Sequence, residues 1–327
     1  MTTKKVFVTK DIPAKGIQLL EEAGLEVVVH QGDSTLTEAE LIEACKEADL
    51  LLNVGQLPIT KSFLEASSHL QGIALASVGF DHVDLETATS LGIPVSNTPD
   101  VLSGATADVA FLLMLAVSRK AFFRSKEVMD GKWKGFGFTE ELGIELNGKT
   151  LGILGLGRIG IEMAKKAKGA YNMDIIYHNR NRNTEAEEAL DAKYVSFEEL
   201  LAQSDVLSVH TNLSDETRHK FNKDAFAKMK SSAIFVNTAR GAIHHEADLA
   251  DALRDGQIWG AGLDVTDPEP MTADSPLLQM SNVCVLPHIG SATIETRTAM
   301  AEMAAKNLLA AWNNKQMPQI VNADIYK

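Results

Sequence analysis

Three residues of complementary chemistry follow one another in the C-terminal half of the chain: Arg240 in NTARG, Glu269 in TDPEP and His288 in LPHIG. A guanidinium can clamp a carboxylate with two parallel hydrogen bonds. An imidazolium can deliver a proton to an oxygen on which negative charge is building. A carboxylate beside that imidazole keeps it charged and oriented. Together they suit the reduction of a keto group next to a carboxylate. Each alone has a plainer reading: a surface arginine, a solvated glutamate between prolines, a histidine bonded to backbone. Their shared position favours the chemical one. Each lies just past an apolar β-rich run, FVNT, GLDV and VCVLP respectively. In a parallel sheet the ends of such runs share one edge, where ligands bind.

Reduction needs a hydride source, and LGILGLGRIG points to one. Gly155-Leu156-Gly157-Arg158-Ile159-Gly160 follows an apolar run and opens the helical stretch IEMAKKAKG, the context that makes a glycine fingerprint specific. Gly155 serves the tight turn, Gly157 lets the backbone approach a pyrophosphate, and Gly160 lets the helix pack on its strand. The N–H groups opening the helix around Arg158 and Ile159 then face phosphate. About twenty residues on, where an acid usually binds the adenosine ribose, the chain reads YHNRNRN. His178, Asn179, Arg180 and Arg182 stand there instead, and arginine suits a 2′-phosphate. NADPH is the expected cofactor, with NADH use left open. Asp264, in GLDV, could accept a bond from the nicotinamide carboxamide or cap the following turn. His210, closing DVLSVH, could touch the cofactor through its loop. His244 and His245 are adjacent and give no metal spacing, and His30, His69, His82 and His219 read as surface or structural.

The elements that must carry these residues form two α/β series. In the first, VFV (6–8), LEVVVH (25–30), DLLLNV (49–54), GIALASV (72–78) and IPVSN (93–97) read as strands between helical stretches. In the second, TLGILG (150–155), DIIYH (174–178), DVLSVH (205–210), AIFVNT (233–238), GAGLDV (260–265) and VCVLPH (283–288) read as six strands, apolar on both faces as a buried parallel sheet requires. A long helical pattern over 101–131 separates the series, and the chain turns helical again after His288. The expected fold class is α/β, with two doubly wound parallel sheets of the Rossmann or flavodoxin-like kind. The simplest assembly inserts one into the other: residues 1–98 with 289–327 as a substrate-binding domain, and 99–288 as a dinucleotide-binding domain.

Bulk properties narrow the partners. Lys+Arg 31 against Asp+Glu 44 gives a net charge of −13, which argues against nucleic acid or an anionic membrane surface. The two cysteines, Cys45 and Cys284, lie in apolar segments without a CxxC or Cys/His cluster, so buried thiols and no metal site are expected. The N-terminal apolar run is too short for a signal peptide, and no run approaches the roughly 20 residues of a membrane span. A cytoplasmic protein acting on a small molecule is expected.

The chain resembles the D-isomer-specific 2-hydroxyacid dehydrogenases. The resemblance rests on ASVGFDHVDL (76–85), GIPVSNTPDVLSGATADVA (92–110), GKTLGILGLGRIG (148–160), VHTNLSDET (209–217), IFVNTARGAIHHEADL (234–249), GAGLDVTDPEP (260–270) and VLPHIGSAT (285–293), in the family's order. It implies that Arg240 binds the substrate carboxylate and carbonyl, that His288 donates and accepts the proton, and that Glu269 pairs with His288. It further implies that the N–H groups of Val78 and Gly79 hold the carboxylate. Thr106 would touch the cofactor phosphates or nicotinamide ribose, and Thr238, Ala239, Asp264 and Gly290 would line the nicotinamide. A homodimer joined through about 101–149 is implied as well. The YHNR strand end is similar to the glyoxylate/hydroxypyruvate reductase branch and to 2-ketogluconate reductases. The arm GKWKGFGFTEELGIEL has Trp133 and Phe136 early and no later tryptophan, a departure that keeps a pocket for a sugar acid open. The expected function is NADPH-preferring reduction of glyoxylate and hydroxypyruvate to glycolate and D-glycerate. The rivals are a 2-ketogluconate reductase and a nucleotide-sensing regulatory dimer without turnover; loss of the Arg/Glu/His set would favour the last, and all three are present.

Overall fold

The computed structural model describes residues 4–32 and 35–327. It divides into two compact units, Met1–Leu102 with Ala292–Lys327, and Ser103–Ser291.

The first unit begins with β1 (Lys5–Val8), α1 (Ala14–Glu22), β2 (Glu26–Val29), α2 (Glu38–Cys45), β3 (Leu50–Val54), α3 (Lys61–Ala66), β4 (Gly72–Ala76), α4 (Leu85–Ser90) and β5 (Val95–Ser96). Local signals set these boundaries. Thr37 and Glu40 form a reciprocal capping box at the start of α2, and Thr60 and Asp84 cap α3 and α4. The strands pair in parallel in the order β2-β1-β3-β4-β5, a doubly wound arrangement. Burial agrees with position: central β3 is buried nearly throughout, whereas edge strand β2 alternates.

The second unit contains α5 (Ser103–Ser118), α6 (Ala121–Met129), β6 (Thr150–Leu154), α7 (Arg158–Tyr171), β7 (Asp174–His178), α8 (Thr184–Leu190), β8 (Lys193–Tyr194), α9 (Phe197–Gln203), β9 (Val206–Val209), α10 (Lys223–Phe226), β10 (Ile234–Asn237), α11 (Glu246–Arg254), β11 (Gly260–Leu263) and β12 (Val283–Val285). Its seven strands run β12-β11-β10-β9-β6-β7-β8, all parallel. The order reverses between β6 and β9, the switch point at which such sheets open a crevice for dinucleotides. Both faces are covered. Leu113, Val117, Met163 and Ala164 belong to one core, and Phe221, Phe226, Phe235 and Leu249 to the other. That is why β9, β10 and β11 are buried at every position.

The first unit is completed by α12 (Ile294–Trp312), whose Ala301, Ala304, Ala305 and Leu308 pack onto Val6, Val8, Leu50 and Leu52. The tail beyond it is tied to β5, where Asn322 accepts the Val95 N–H at 2.8 Å and donates to Ile93 O at 2.9 Å.

Two expectations are corrected. The helical pattern over 101–131 is two helices. The chain breaks at Lys120, which adopts φ 51°, and the Ser118 carbonyl freed there accepts the Ile144 N–H at 2.9 Å. Lys120 is anchored by Glu141 at 2.6 Å and lies over the Trp259 ring, so tertiary contacts end a helix that periodicity would continue. The sheet also has a seventh strand, β8, as short as β5 but set in DAKYVS, where exposed Lys193 interrupts the apolar run that marks a strand. Among the described residues no helix is long and apolar enough to cross a membrane.

Candidate active site

The turn after β6 has the conformation its glycines suggest. Gly155 has φ +97°, and a Cβ on it would stand 2.7 Å from the His210 carbonyl group. Only glycine fits there, for conformation and for space. Gly157 caps α7 without a side chain, and a Cβ on it would meet nothing within 4 Å. Open space therefore lies beside Gly157 at the start of α7. His210 backs this turn: its N–H bonds Leu154 O at 2.8 Å and its Nε2 lies 2.9 Å from Ser208 Oγ. Burial pushes its imidazole down to about 4, so it is neutral near pH 7.

The loop after β7 is braced against the same turn. Asn179 Oδ1 accepts the Leu156 N–H at 2.6 Å, and Asn183 Nδ2 donates to Leu156 O at 3.0 Å. His178 faces inward, with Nδ1 2.9 Å from Val195 O and its ring stacked on Tyr194. The two arginines differ. Arg182 grips Glu187 with Nε at 3.0 Å and Nη2 at 2.5 Å, lies beside Tyr194, and shares Glu187 with the Tyr177 hydroxyl. Hydrogen bonds from Arg182 and Tyr177 hold the Glu187 carboxyl below its ordinary value. Arg180 is exposed.

Arg240, Glu269 and His288 come together on the carboxyl edge of three neighbouring strands, β10, β11 and β12. His288 Nδ1 is 2.6 Å from Glu269 Oε1. Burial pushes the Glu269 carboxyl up, but the hydrogen bond and charge of His288, with the Thr266 N–H and the Arg240 charge, outweigh it and leave a net lowering. Glu269 is thus a carboxylate at neutral pH, and His288 Nδ1 donates to it, leaving Nε2 outside this contact. His288 is in the left-handed region at φ 54°. Asp264, 1% exposed, stabilises that turn: Oδ1 accepts the Ile289 N–H at 2.8 Å and Oδ2 the Gly290 N–H at 2.7 Å. Burial raises the Asp264 carboxyl more than these two bonds lower it. Thr106 on α5 completes the group, since a Cβ on Gly290 would lie 3.2 Å from Thr106 Cγ2 and from Asp264 Oδ2. Thr238 and Ala239 follow β10, and the buried Thr238 Oγ has no partner among the described residues.

Val78 and Gly79 lie in the first unit, in the loop after β4. Their carbonyls accept from Asn97 Nδ2 and Ser77 Oγ, each at 2.8 Å. Reading the sequence did not find Asn183, Asn237 or His244, which hold the two site loops. An asparagine closing the apolar run of β10 was the only available signal, and His244 carried none.

A glycine turn with open space at a sheet's switch point, and a histidine–carboxylate pair with an arginine on the same edge, mark a dinucleotide-dependent oxidoreductase as the class. Comparison with known proteins narrows it. Residues 111–290 match the family model of the D-isomer specific 2-hydroxyacid dehydrogenase NAD binding domain. The chain is 44% identical to the glyoxylate reductase of Thermococcus litoralis, over 98% of this chain and 97% of that one. The crystal structure of TT0316 protein from Thermus thermophilus superposes with TM-score 0.90 at 43% identity, covering 97% of this chain and 99% of that. An NADPH-dependent glyoxylate/hydroxypyruvate reductase from Sinorhizobium meliloti, solved with NADP and malonate, gives TM-score 0.85 at 30% identity over 98% and 97% of the two chains. The chain belongs to the D-isomer-specific 2-hydroxyacid dehydrogenase family and is an NAD(P)-dependent oxidoreductase.

Proposed function

We propose that this protein reduces small 2-oxoacids, glyoxylate and hydroxypyruvate first among them, with NADPH preferred over NADH. The observation that carries the reading is the His288–Glu269 pair at 2.6 Å, on the same sheet edge as Arg240 and in the same unit as the glycine turn. The names of the relatives in Thermococcus litoralis and Sinorhizobium meliloti support the substrate class.

The residues fit a dinucleotide. The space beside Gly157 at the start of α7 admits a pyrophosphate, and the orphaned Thr238 Oγ suits a carboxamide. Gly155, Gly157, Arg158, Ile159 and Gly160 would hold the phosphates. Thr106, Thr238, Ala239, Asp264 and Gly290 would border the nicotinamide. Reduced nicotinamide, when bound, supplies the hydride. Arg240 holds the substrate carboxylate by paired hydrogen bonds, and the Val78 and Gly79 N–H groups of the first unit are assigned to substrate binding. His288 gives its Nε2 proton to the oxygen that gains charge, and Glu269 stabilises the imidazolium before transfer. Preference for NADPH rests on the missing acid at the end of β7, where His178 and Asn179 stand, and on exposed Arg180 beside them.

Residues 1–98 with 289–327 would serve substrate binding and 99–288 the cofactor. A homodimer through the arm at about 101–149 is part of the same proposal. Its support is the cluster of exposed apolar side chains there: Met129 77%, Phe136 88% and Phe138 83% exposed.

The test is consumption of NADPH and of NADH by purified protein with glyoxylate, hydroxypyruvate and 2-ketogluconate, repeated on His288→Asn. NADPH-linked turnover of the two small acids, lost by about 100-fold or more in the variant with NADPH binding kept, is expected. Undiminished turnover in the variant would remove His288 as the acid, and faster turnover of 2-ketogluconate would replace the substrate class.

A further inference from the structure

We infer that Asn237 and His244 are positioning residues for Arg240: a buried amide–imidazole bracket sets the turn from which the guanidinium is presented. The inference rests on Arg240 as the carboxylate-binding group.

Asn237 closes β10 and is fully buried. Its Oδ1 accepts the Ala239 N–H at 2.9 Å. Its Nδ2 donates to Arg240 O at 2.9 Å and to His244 Nδ1 at 3.1 Å. Both amide protons and an oxygen lone pair are thus spent on residues 239–244. Since an amide nitrogen can only donate, His244 Nδ1 must accept, and the ring proton sits on Nε2. His244 is itself fully buried, edge-on to Phe235, and its Nε2 has no partner among the described residues.

A buried N–H without a partner is destabilising, so packing alone would be served better by an apolar side chain. The acceptor at Nδ1 is what the imidazole contributes. Burial, with His219 and His245 nearby, holds His244 down to about 3, which keeps that acceptor unprotonated near neutral pH.

The bracket controls Arg240 because the turn has little other freedom. Ile243 N–H bonds Arg240 O at 3.2 Å and His244 N–H bonds Gly241 O at 3.0 Å. A Cβ on Gly241 would lie 2.0 Å from Thr266 O, so the turn is seated directly on the loop that leads to Glu269. Arg240 Nη1 donates to Ala239 O at 2.7 Å, which references the guanidinium to this same turn. A small shift of the turn moves a two-pronged contact out of register, and such contacts tolerate little displacement.

The experiment compares His244→Val, His244→Gln and Arg240→Ala in the full-length protein, with glyoxylate as probe. His244→Val removes the acceptor, and KM for glyoxylate should rise about tenfold while kcat stays within about twofold. The NADPH dissociation constant should not change. The Oε1 of His244→Gln can accept from Asn237, so this variant should recover KM to within about threefold of the parent. In the unaltered protein, 15N spectra should show His244 protonated on Nε2 and accepting on Nδ1, a readout that needs no variant to fold. An Nδ1–H tautomer, an unchanged KM in His244→Val, or equal losses in kcat, KM and NADPH affinity in both variants would overturn the bracket. If Arg240→Ala raises KM and His244→Val does not, Arg240 keeps its role and only the bracket is lost. An Arg240→Ala protein with unchanged KM would discard both.

Discussion

His288 Nδ1 stands 2.6 Å from Glu269 Oε1 although nineteen residues separate them, because neighbouring strands β11 and β12 deliver them to the same edge. The carboxylate is held below its ordinary value chiefly by that contact, against the opposing effect of burial. A group depressed in this way stays ionised as pH falls to the ordinary carboxylate range and loses its charge only below it. Glu269→Gln removes the carboxylate that His288 Nδ1 meets, and reductive kcat/KM should fall by about tenfold or more near neutral pH. An unchanged kcat/KM would show that the contact does not support His288 in the reaction.

Gly157 and Gly155 should separate cofactor binding from folding. Gly157→Ala adds a methyl group to open space, so thermal stability should hardly change. That space is where a pyrophosphate would approach α7, and the Michaelis constants for NADPH and NADH should both rise by about tenfold or more. Gly155→Ala forces a Cβ against the His210 carbonyl from a left-handed backbone and should lower the melting temperature as well. Calorimetry beside steady-state kinetics on the two variants checks both statements.

The two arginines of the loop after β7 should behave differently. Arg180→Ala should raise KM for NADPH by about tenfold and leave NADH nearly unaffected, as loss of a phosphate contact requires. Arg182 is committed to Glu187, so Arg182→Ala should affect both cofactors alike through the loop. Kinetics with both cofactors would decide it: an NADPH-selective loss in Arg182→Ala would mean that the arginine leaves Glu187 when cofactor binds.

Asp205 ties β6 to β9 and offers a stability test away from the site. It accepts the Thr150 N–H and Lys230 Nζ, each at 2.9 Å. Burial raises its carboxyl, and these partners more than offset that to leave it lowered. With a folded value below the unfolded one, its stabilisation is full above the ordinary aspartate range and is lost as pH falls through the folded value. Asp205→Asn should therefore cost about 1 kcal/mol at pH 7, after allowance for solvent screening, and less as the solution is acidified. Urea denaturation at a series of pH values measures the difference, and a cost independent of pH would exclude a charge-based role.

Local patterns made much of this protein legible. Apolar runs bounded by turns announce eleven of the twelve strands among the described residues, because strand and helix periods are short-range properties of the chain. The glycine fingerprint, the absence of an acid in YHNRNRN and the placement of Arg240, Glu269 and His288 after three such runs are likewise visible residue by residue. Strand β8 and the break at Lys120 escaped because one is a two-residue edge strand carrying exposed Lys193 and the other depends on Glu141 and Trp259, far along the chain.

What each polar group does was decided by the tertiary structure. Periodicity says that Arg182 and Arg180 lie on one loop; the packing of α8 beside β7 puts Glu187 within reach of the first and leaves the second exposed. Asp264 serves the His288 turn through two backbone N–H groups because β11 lies next to β12. Asn237 and His244 meet because the chain after β10 folds back over the strand's end. Hydrogen bonds are short and directional, so a partner is settled only when sheet order and register bring two groups within about 3 Å. A hydrophobic period needs no such meeting and can be read from the chain alone.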